Sequence, residues 1–414
     1  MRDLIILFCT RSLRLFAFGL VSVILVFFLA ERGFTTSEVG WLLSLTLIGD
    51  AVISLFLTTR ADRWGRRRTL MVSGLLMVVA GLAVITTGNF WLLALAMTIG
   101  VISPAGNEVG PFLAVEQAAL AHIVTPHQRT HYVAWYNVAG FSATALGALV
   151  GGILSGWWQG KGVPALSSYT YLFGVYAGVG LLLVILSMRL SDAVEVEHNP
   201  VKNRGLIANW TGLHESRSIV LRLSALFALD AFAGGFIVQS ILAYWFYLKF
   251  GATNTELGGL FFATNILSGI SALVAVPLAR RLGLVNTMVF THLPSNLLLM
   301  AVPLMPNFQL AVGLLLLRHL ISQMDVPARQ SYVMAVVAPS EYSAANGITA
   351  TVRSLGSGLA PSLAGGLLSV APLVNAPIFL AGGLKIVYDL ALYRGFSHIK
   401  PPEEIDAKTG SRPR

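Results

Sequence analysis

Four acidic side chains stand in apolar surroundings. Asp50 lies in Leu47-Ile48-Gly49-Asp50-Ala51-Val52, Glu108 in Pro104-Ala105-Gly106-Asn107-Glu108-Val109-Gly110-Pro111, Asp230 in Leu229-Asp230-Ala231-Phe232, and Asp325 in Gln323-Met324-Asp325-Val326-Pro327. A carboxylate with little polar company is driven toward its neutral form, so such a group can load and unload a proton as its surroundings change. Each acid also has a structural reading. Asp50 can be the fixed partner of Arg14 or part of a latch, Glu108 part of a proline kink, and Asp230 and Arg353 the counter-ions of each other or of a neighbour. Arg318 can hold Asp325 or bind an anionic solute. Asn107, Asn137, Arg318, Arg353 and Tyr244 are candidates to contact an organic solute in a cavity. Tyr136, Trp245 and Tyr247 could line the same space or serve in packing. Lys385 and Asp389 stand four apart and read as a peripheral, structural i,i+4 pair, and Glu116 reads as an interfacial acid.

The elements that carry these residues are apolar helices. Of 414 residues 55% are hydrophobic and 11% charged, against roughly 25% charged in soluble domains, which excludes a water-soluble enzyme and a disordered scaffold. A helix crossing lipid needs about 20 mainly apolar residues. The chain offers twelve such stretches, the first six being Leu13 to Ala30, Val39 to Thr59, Leu70 to Thr87, Trp91 to Ala114, Tyr132 to Leu154 and Tyr169 to Met188. After a polar segment come Leu223 to Leu248, Leu257 to Leu278, Met288 to Val302, Phe308 to Val326, Ala345 to Val370 and Pro377 to Tyr393. The apolar run Leu4 to Cys9 is too short for a signal peptide, so the first span is expected to be retained. At about 1.5 Å per helical residue, Asp50 and Arg318 lie roughly 15 Å deep, and Arg14, Glu108, Asp230, Asp325 and Arg353 lie further toward the inner side. A charge within a span costs roughly 2.5 to 3.5 kcal/mol on insertion scales, so each needs a partner or a task.

With an inward N-terminus, the outer loops hold Arg32, Lys161 and Lys249, while Arg60, Arg63, Arg66, Arg67, Arg68, Arg129, Lys202, Arg204, Arg217, Arg280, Arg281, Arg329 and the basic tail face the cytoplasm. That asymmetry follows the positive-inside rule. It assigns the net charge of +9 to topology and anionic lipid rather than to nucleic acid. The expected location is the cell (inner) membrane, multi-pass, with both termini cytoplasmic.

The chain repeats itself. Gly33, Thr35, Glu38 and Gly40 recur as Gly251, Thr253, Glu256 and Gly258 at an offset of 218, as do Ala61, Arg63, Gly65 and Thr69 in Ala279, Arg281, Gly283 and Thr287. Asn89-Phe90 recurs as Asn307-Phe308, and at an offset of 213 Gln117 and Pro126 meet Gln330 and Pro339. The reading is an all-α membrane protein of two pseudo-symmetric six-helix halves. Residues 1-188 form the first half, 189-218 a cytoplasmic linker, 219-396 the second half and 397-414 a tail.

The loop Ala61-Asp62-Arg63-Trp64-Gly65-Arg66-Arg67-Arg68 resembles the signature Gly-x-x-x-Asp-Arg-x-Gly-Arg-Arg of the major facilitator superfamily, with Thr58 in place of the first glycine. The resemblance implies twelve transmembrane helices in the major facilitator fold, and a conformational latch at Asp62, Arg63, Gly65, Arg66 and Arg67. A purely topogenic arginine cluster is the other reading of that loop. Gly147-Ala148-Leu149-Val150-Gly151-Gly152 is similar to the end of the superfamily's antiporter motif without its proline. Ala360-Pro361 and Gly365-Gly366 stand at the related place in the second half. Gly147, Gly151, Gly152 and Pro361 form the expected helix-packing motif, which could suit sliding or packing alone.

The resemblance implies a secondary active transporter of a small, organic substrate working by alternating access, with proton-coupled export (drug or metabolite efflux) as the leading expectation. An uptake symporter or uniporter of the same fold is the nearest alternative. A membrane-embedded enzyme fits less well, since no nucleophile, base and orienter fall together in the spans. Substrate, protons and the lipid bilayer are the expected partners of a monomer, with no nucleic acid. No cofactor and no metal are expected, and His122, His127 and His131 flank a turn without an acid or thiol to complete a site.

Overall fold

The computed structural model describes residues 1–107, 110–195, 216–338 and 341–399, leaving out the side chains at 62, 63, 121, 126, 127, 129, 130, 343 and 344. Glu108, most of the expected linker and the tail from 400 onward lie outside the described residues. The fold is built from fifteen described α-helices: α1 Arg2–Glu31, α2 Thr36–Trp64, α3 Arg66–Thr86, α4 Phe90–Ile99, α5 Phe112–Ile123, α6 Pro126–Gly160, α7 Ala165–Met188, α8 Arg217–Gly235, α9 Gln239–Phe250, α10 Asn254–Leu282, α11 Leu284–Ala301, α12 Phe308–Ser322, α13 Asp325–Val336, α14 Tyr342–Leu368 and α15 Ala376–Phe396. Among the described residues ten segments are long and apolar enough to cross a membrane. The fourth expected span is shortened by a break, leaving the ten-residue helix α4. The eleventh forms the 27-residue helix α14.

The repeated residues mark helix boundaries. Thr35 and Glu38 close a capping box at the start of α2, and Thr253 and Glu256 exchange the same bonds, 2.8 and 3.3 Å, before α10. Each box satisfies amide groups that the first turn leaves without helical partners. Asn89 accepts from the backbone of Trp91 and Leu92, and Asn307 from Leu310. Gly33, Gly65, Gly251 and Gly283 all have φ between 67 and 97°, a region that disfavours a Cβ. The duplication therefore persists where the local backbone demands particular residues.

Three expected spans are interrupted. The fourth is broken between α4 and α5, where Gly100, Pro104, Gly106, Gly110 and Pro111 stand, with positive φ at Val101, Gly106 and Gly110. The seventh, read as one run from Leu223 to Leu248, is two helices parted at 236–238. Hydropathy sees an apolar stretch there and cannot see that Phe236, Ile237 and Val238 leave the helix. The tenth divides after Ser322 into α12 and α13.

The chain folds into two compact units. Unit 1 contains Met1–His198, Phe236–Ile266 and Gly358–Pro377; unit 2 contains Asn199–Gly235, Leu267–Ser357 and Ile378–Arg414. In unit 1, α1 is buried along most of its length, packed by α6 and α7. In unit 2 the apolar core gathers Phe227, Met288, Tyr332, Tyr388 and Leu392 from α8, α11, α13 and α15.

Candidate functional site

In unit 1 the break in the fourth span is met by the break in the seventh. The carbonyl of Pro104 accepts the amide of Ser240 at 3.0 Å and its hydroxyl at 2.6 Å. Thr144 donates to Gly106 O at 3.3 Å, Ser103 to Asn107 O at 2.7 Å, and Tyr176 to Val101 O at 2.8 Å. Carbonyls freed from a helix in lipid must find such donors within the protein. Gln239, the first residue of α9, donates to Ser22 Oγ at 2.8 Å and accepts from Asn265 at 3.2 Å. The result is a polar patch of amide and hydroxyl groups among apolar helices. Asn107 is exposed beside it.

About two to three helical turns from Ser22 toward the N-terminus of α1 lies a buried ionic network. Glu116, on α5, takes Arg14 Nη1 at 2.9 Å and Nη2 at 2.7 Å, Thr10 Oγ1 at 2.8 Å, and the hydroxyl of Tyr136. Arg14 and Glu116 are both 0% exposed, and Arg14 stacks on Phe112 at 4.3 Å. The interfacial reading of Glu116 is thereby corrected: α5 turns this acid inward, under α1. The bidentate partner of Arg14 is Glu116 rather than the Asp50 considered from sequence. Asp50 is half-buried on α2 and takes a long, 3.5 Å contact from Ser54. Asn137 accepts from Arg11 at 3.3 Å, and Arg11 lies over the Tyr136 ring at 4.3 Å.

Unit 2 holds a larger network. Asp230 Oδ1 accepts Lys385 Nζ at 2.5 Å, and its Oδ2 accepts Arg329 at 3.2 Å and Arg353 at 3.4 Å. Arg329 also holds Asp325, four residues before it, at 3.1 Å. Asp230 and Arg353 thus meet, and Arg329 joins Asp325 to both. The holder of Asp325 is Arg329, because α13 places the two side chains one turn apart. Arg318 on α12 is buried, contacts His319 at 3.4 Å, and leaves its Nε without a hydrogen bond among the described residues. The peripheral reading of Lys385 and Asp389 is also corrected. Both are buried: Lys385 serves Asp230, while Asp389 accepts from His292 at 2.8 Å and from Asn296 at 2.9 Å. Their spacing showed a shared helix face; the face's neighbours decided the partners. His292 and Asn296, themselves one turn apart, escaped sequence reading because a lone histidine and asparagine in an apolar run point equally to core packing.

Tyr244 lines a recess of about 670 Å³ in unit 1, together with Phe27, Tyr169, Tyr247, Gln159 and Asn254. The rings of Tyr244 and Tyr247 stack at 6.0 Å and Phe27 stands edge-on to both, at 5.8 and 5.4 Å. Tyr136 and Trp245, by contrast, are fully packed; Trp245 donates to Asn375 at 3.2 Å.

At the loop between α2 and α3, Gly65 adopts φ +97° and the chain reverses into α3. Glu195 accepts from the backbone amides of Arg66 at 2.7 Å and Arg67 at 3.0 Å, an anion placed at a helix N-terminus. Arg66 donates to Ala118 O and Val194 O, and Arg67 lies 3.7 Å from Asp192. The segment after α7, read as the start of a linker, thus binds the basic loop. The side chains of Asp62 and Arg63 are outside the described residues.

Small residues set the closest helix approaches of unit 1. A Cβ on Gly151 would stand 2.5 Å from Leu20 O, and one on Gly258 would stand 2.9 Å from Gly152 Cα. Gly147 abuts Phe16 O on α1, and a Cβ on Gly40 would lie 2.6 Å from Pro361 O and 2.9 Å from Gly365 Cα. These distances require backbone-to-backbone approach of α6 to α1 and α10, and of α2 to α14.

A sequence profile of the Major Facilitator Superfamily matches residues 7–361, and the chain belongs to that superfamily. It is a multi-span membrane transporter with the major facilitator fold. An uncharacterized membrane protein of Saccharomyces cerevisiae, YJR124C, is 29% identical, covering 94% of this chain and 93% of the relative. The quinolone resistance protein NorA of Staphylococcus aureus is 23% identical, covering 93% and 94%. The solved structure of the nucleoside transporter NupG superposes with a TM-score of 0.71 at 15% identity, covering 96% of this chain and 100% of that one.

Proposed function

We propose that this chain is a proton-coupled exporter of a small organic compound, working by alternating access as a monomer of two duplicated six-helix halves. The observation that carries the reading is the buried carboxylate Asp230, whose two oxygens are divided among Lys385, Arg329 and Arg353 from three other helices. Three cations hold such an acid ionised, so it takes up a proton only when the helices that carry them draw away, and proton binding is thereby tied to a helix rearrangement. Asp50, Glu108 and Asp325 are the further coupling candidates, and Asp62, Arg63, Gly65, Arg66 and Arg67 the latch that answers them.

The recess at Tyr244 and Tyr247 falls within the size range of small-molecule sites, roughly 300 to 1,000 Å³. Its aromatic rings and the amides of Gln159 and Asn254 suit a compact organic molecule with a ring and a few hydrogen-bonding groups. Asn107, Asn137, Arg318 and Arg353 extend the list of solute contacts. Export is supported by the glycine-rich face of α6 and by the likeness to a protein named for quinolone resistance. The likeness in fold to a nucleoside transporter supports uptake as the second reading. The basic loops support the cell (inner) membrane with both termini cytoplasmic.

Reconstitution tests both. With a pH gradient imposed on proteoliposomes of known orientation, a panel of aromatic and cationic compounds is followed in wild type, Asp230→Asn, Asp50→Asn and Glu108→Gln. Gradient-driven movement lost in Asp230→Asn supports the reading, and loss in either other variant adds that acid to the carriers. Undiminished movement in all three overturns it, and wild-type movement only with the proton gradient, into the same compartment as the proton, replaces export by uptake.

A further inference from the structure

The proton reading of Asp230 leaves one neighbouring group without a task. His292 on α11 stands between two carboxylates, with Nδ1 2.8 Å from Asp389 Oδ1 and Nε2 3.9 Å from Asp230 Oδ1. His292, Asp389 and Asp230 are 3%, 0% and 4% exposed. Against an ionised Asp389 the nitrogen at 2.8 Å carries a hydrogen, and in the neutral ring the lone pair is then on Nε2; the amide nitrogen of Asn296 lies 3.3 Å from the same Nδ1. Asn296, one turn along α11, donates to Asp389 Oδ2 at 2.9 Å and holds that carboxylate in place. The Nε2 lone pair therefore faces a carboxylate oxygen beyond hydrogen-bond reach, and that same oxygen is occupied by Lys385 Nζ at 2.5 Å.

We propose that His292 and Asp389 form a proton-binding dyad, in which a proton taken up at His292 Nε2 competes with Lys385 for Asp230 Oδ1. The proposal rests on the proton-coupled reading above and names a carrier for it. The step is one proton addition: the Nε2 lone pair forms an N–H bond, no bond breaks, and the cluster gains one positive charge. A repulsive lone-pair contact becomes an attractive, charge-assisted one, and Lys385 yields its place. Lys385 and Asp389 lie one turn apart on α15, so loading the proton shifts that helix against α8 and α11 together.

The surroundings make the proton exchangeable. From α13, Arg329 faces Asp230 and Asp325, and from α14 Arg353 faces Asp230. From α12 comes the buried Arg318, and the Tyr388 ring of α15 stands edge-on to the imidazole at 5.9 Å. Two carboxylates on either side of the ring attract the added proton, while the cations Lys385, Arg318, Arg329 and Arg353 oppose it. A proton held and opposed in this way can be released when the helices move.

The test is a nitrogen-15 NMR titration of the full chain, labelled at histidine, in lipid nanodiscs from about pH 5 to 9, the span over which imidazoles titrate. The His292 resonances are assigned with His292→Gln, and with His292→Asn should that variant not fold. Expected is one proton uptake at Nε2 within that range, with a pH dependence that differs from wild type in both Asp389→Asn and Lys385→Met. A neutral, single tautomer across the range overturns the proposal. In proteoliposomes where wild type responds to the proton gradient, the ratio of gradient-driven accumulation to equilibrium exchange should fall at least about tenfold in His292→Gln, by roughly 1.4 kcal/mol per decade; there an unchanged ratio also overturns it. A titrating His292 in a wild-type protein indifferent to the proton gradient supports the dyad and overturns the coupled-transport reading.

Discussion

Arg14 and Glu116 form a bidentate ion pair, at 2.9 and 2.7 Å, with both side chains sealed from solvent. The second half repeats the placement with the signs exchanged. Leu13-Arg14-Leu15-Phe16-Ala17 on α1 matches Leu229-Asp230-Ala231-Phe232-Ala233 on α8, and Glu116-Gln117 on α5 matches Arg329-Gln330 on α13. There Asp230 meets Arg329 at 3.2 Å. A buried pair needs opposite charges in reach of each other and is indifferent to which helix carries which. The first pair is closed by Tyr136 and Thr10, whereas the second is opened to Lys385, Arg353 and His292. The first is suited to holding helices together, and the second to exchanging partners.

Removing one member of the closed pair should be strongly destabilising, because the other stays buried and charged. Glu116→Gln is expected to cost roughly 3 to 5 kcal/mol, seen as a lower midpoint of thermal unfolding in detergent. The double variant Arg14→Met, Glu116→Leu should recover most of that loss. A double variant no more stable than Glu116→Gln would show that the pair is not the source.

The small-residue approaches carry a steric prediction. Gly152→Leu or Gly40→Leu places a side chain where backbone atoms of α10 or α14 already stand, so helix approach fails even though either residue is tolerated in a helix. Transport should drop at least about tenfold while helical content by circular dichroism is retained; overpacking costs of about 1 to 3 kcal/mol are enough for that. Normal transport by both variants would mean the approach is dispensable.

Glu195 should secure the loop between α2 and α3. Glu195→Ala removes the acceptor of two amides at the start of α3, a loss of about 0.5 to 2 kcal/mol for a helix cap. Faster trypsin cleavage at Arg66, Arg67 or Arg68 is the expected readout, and Glu195→Asp should restore part of the protection. Equal cleavage rates in wild type and Glu195→Ala would count against the cap.

Aromatic contacts in the recess give a binding prediction. Tyr244→Ala and Tyr247→Ala each remove one ring of a stacked pair, worth about 0.5 to 1.5 kcal/mol, or roughly two- to tenfold in affinity. KM for an aromatic substrate should rise in each, with Tyr247→Phe close to wild type. A KM unmoved by either alanine would place the substrate elsewhere.

Much of this protein was legible in one dimension. Whether a segment lies in lipid depends on transfer free energies that add along about 20 residues, so twelve apolar stretches, the superfamily loop and the duplication could be read from composition and spacing. Helix boundaries were legible for the same reason: Thr35, Thr253, Asn89 and Asn307 satisfy amides two or three residues away. The breaks show the limit. Prolines and glycines announced the one between α4 and α5, whereas the one at 236–238 stands in Phe236-Ile237-Val238, and its reason is a polar meeting with Ser22, Pro104 and Asn265, distant in sequence.

Of the ion partners, the sequence offered the Asp230–Arg353 contact and missed the rest. Lys385 and Asp389 looked like partners because they are four apart, and each found a better one across a helix interface: Asp230 for the lysine, His292 for the acid. Within lipid the alternative to a partner is a charge without water, so the pairing that survives is the one the packed helices bring within about 3 Å. That distance is a property of three or four helices at once. The 414 residues determined by themselves that acids would be buried in membrane helices; only their tertiary arrangement decided which is held by one arginine and which is shared among several cations.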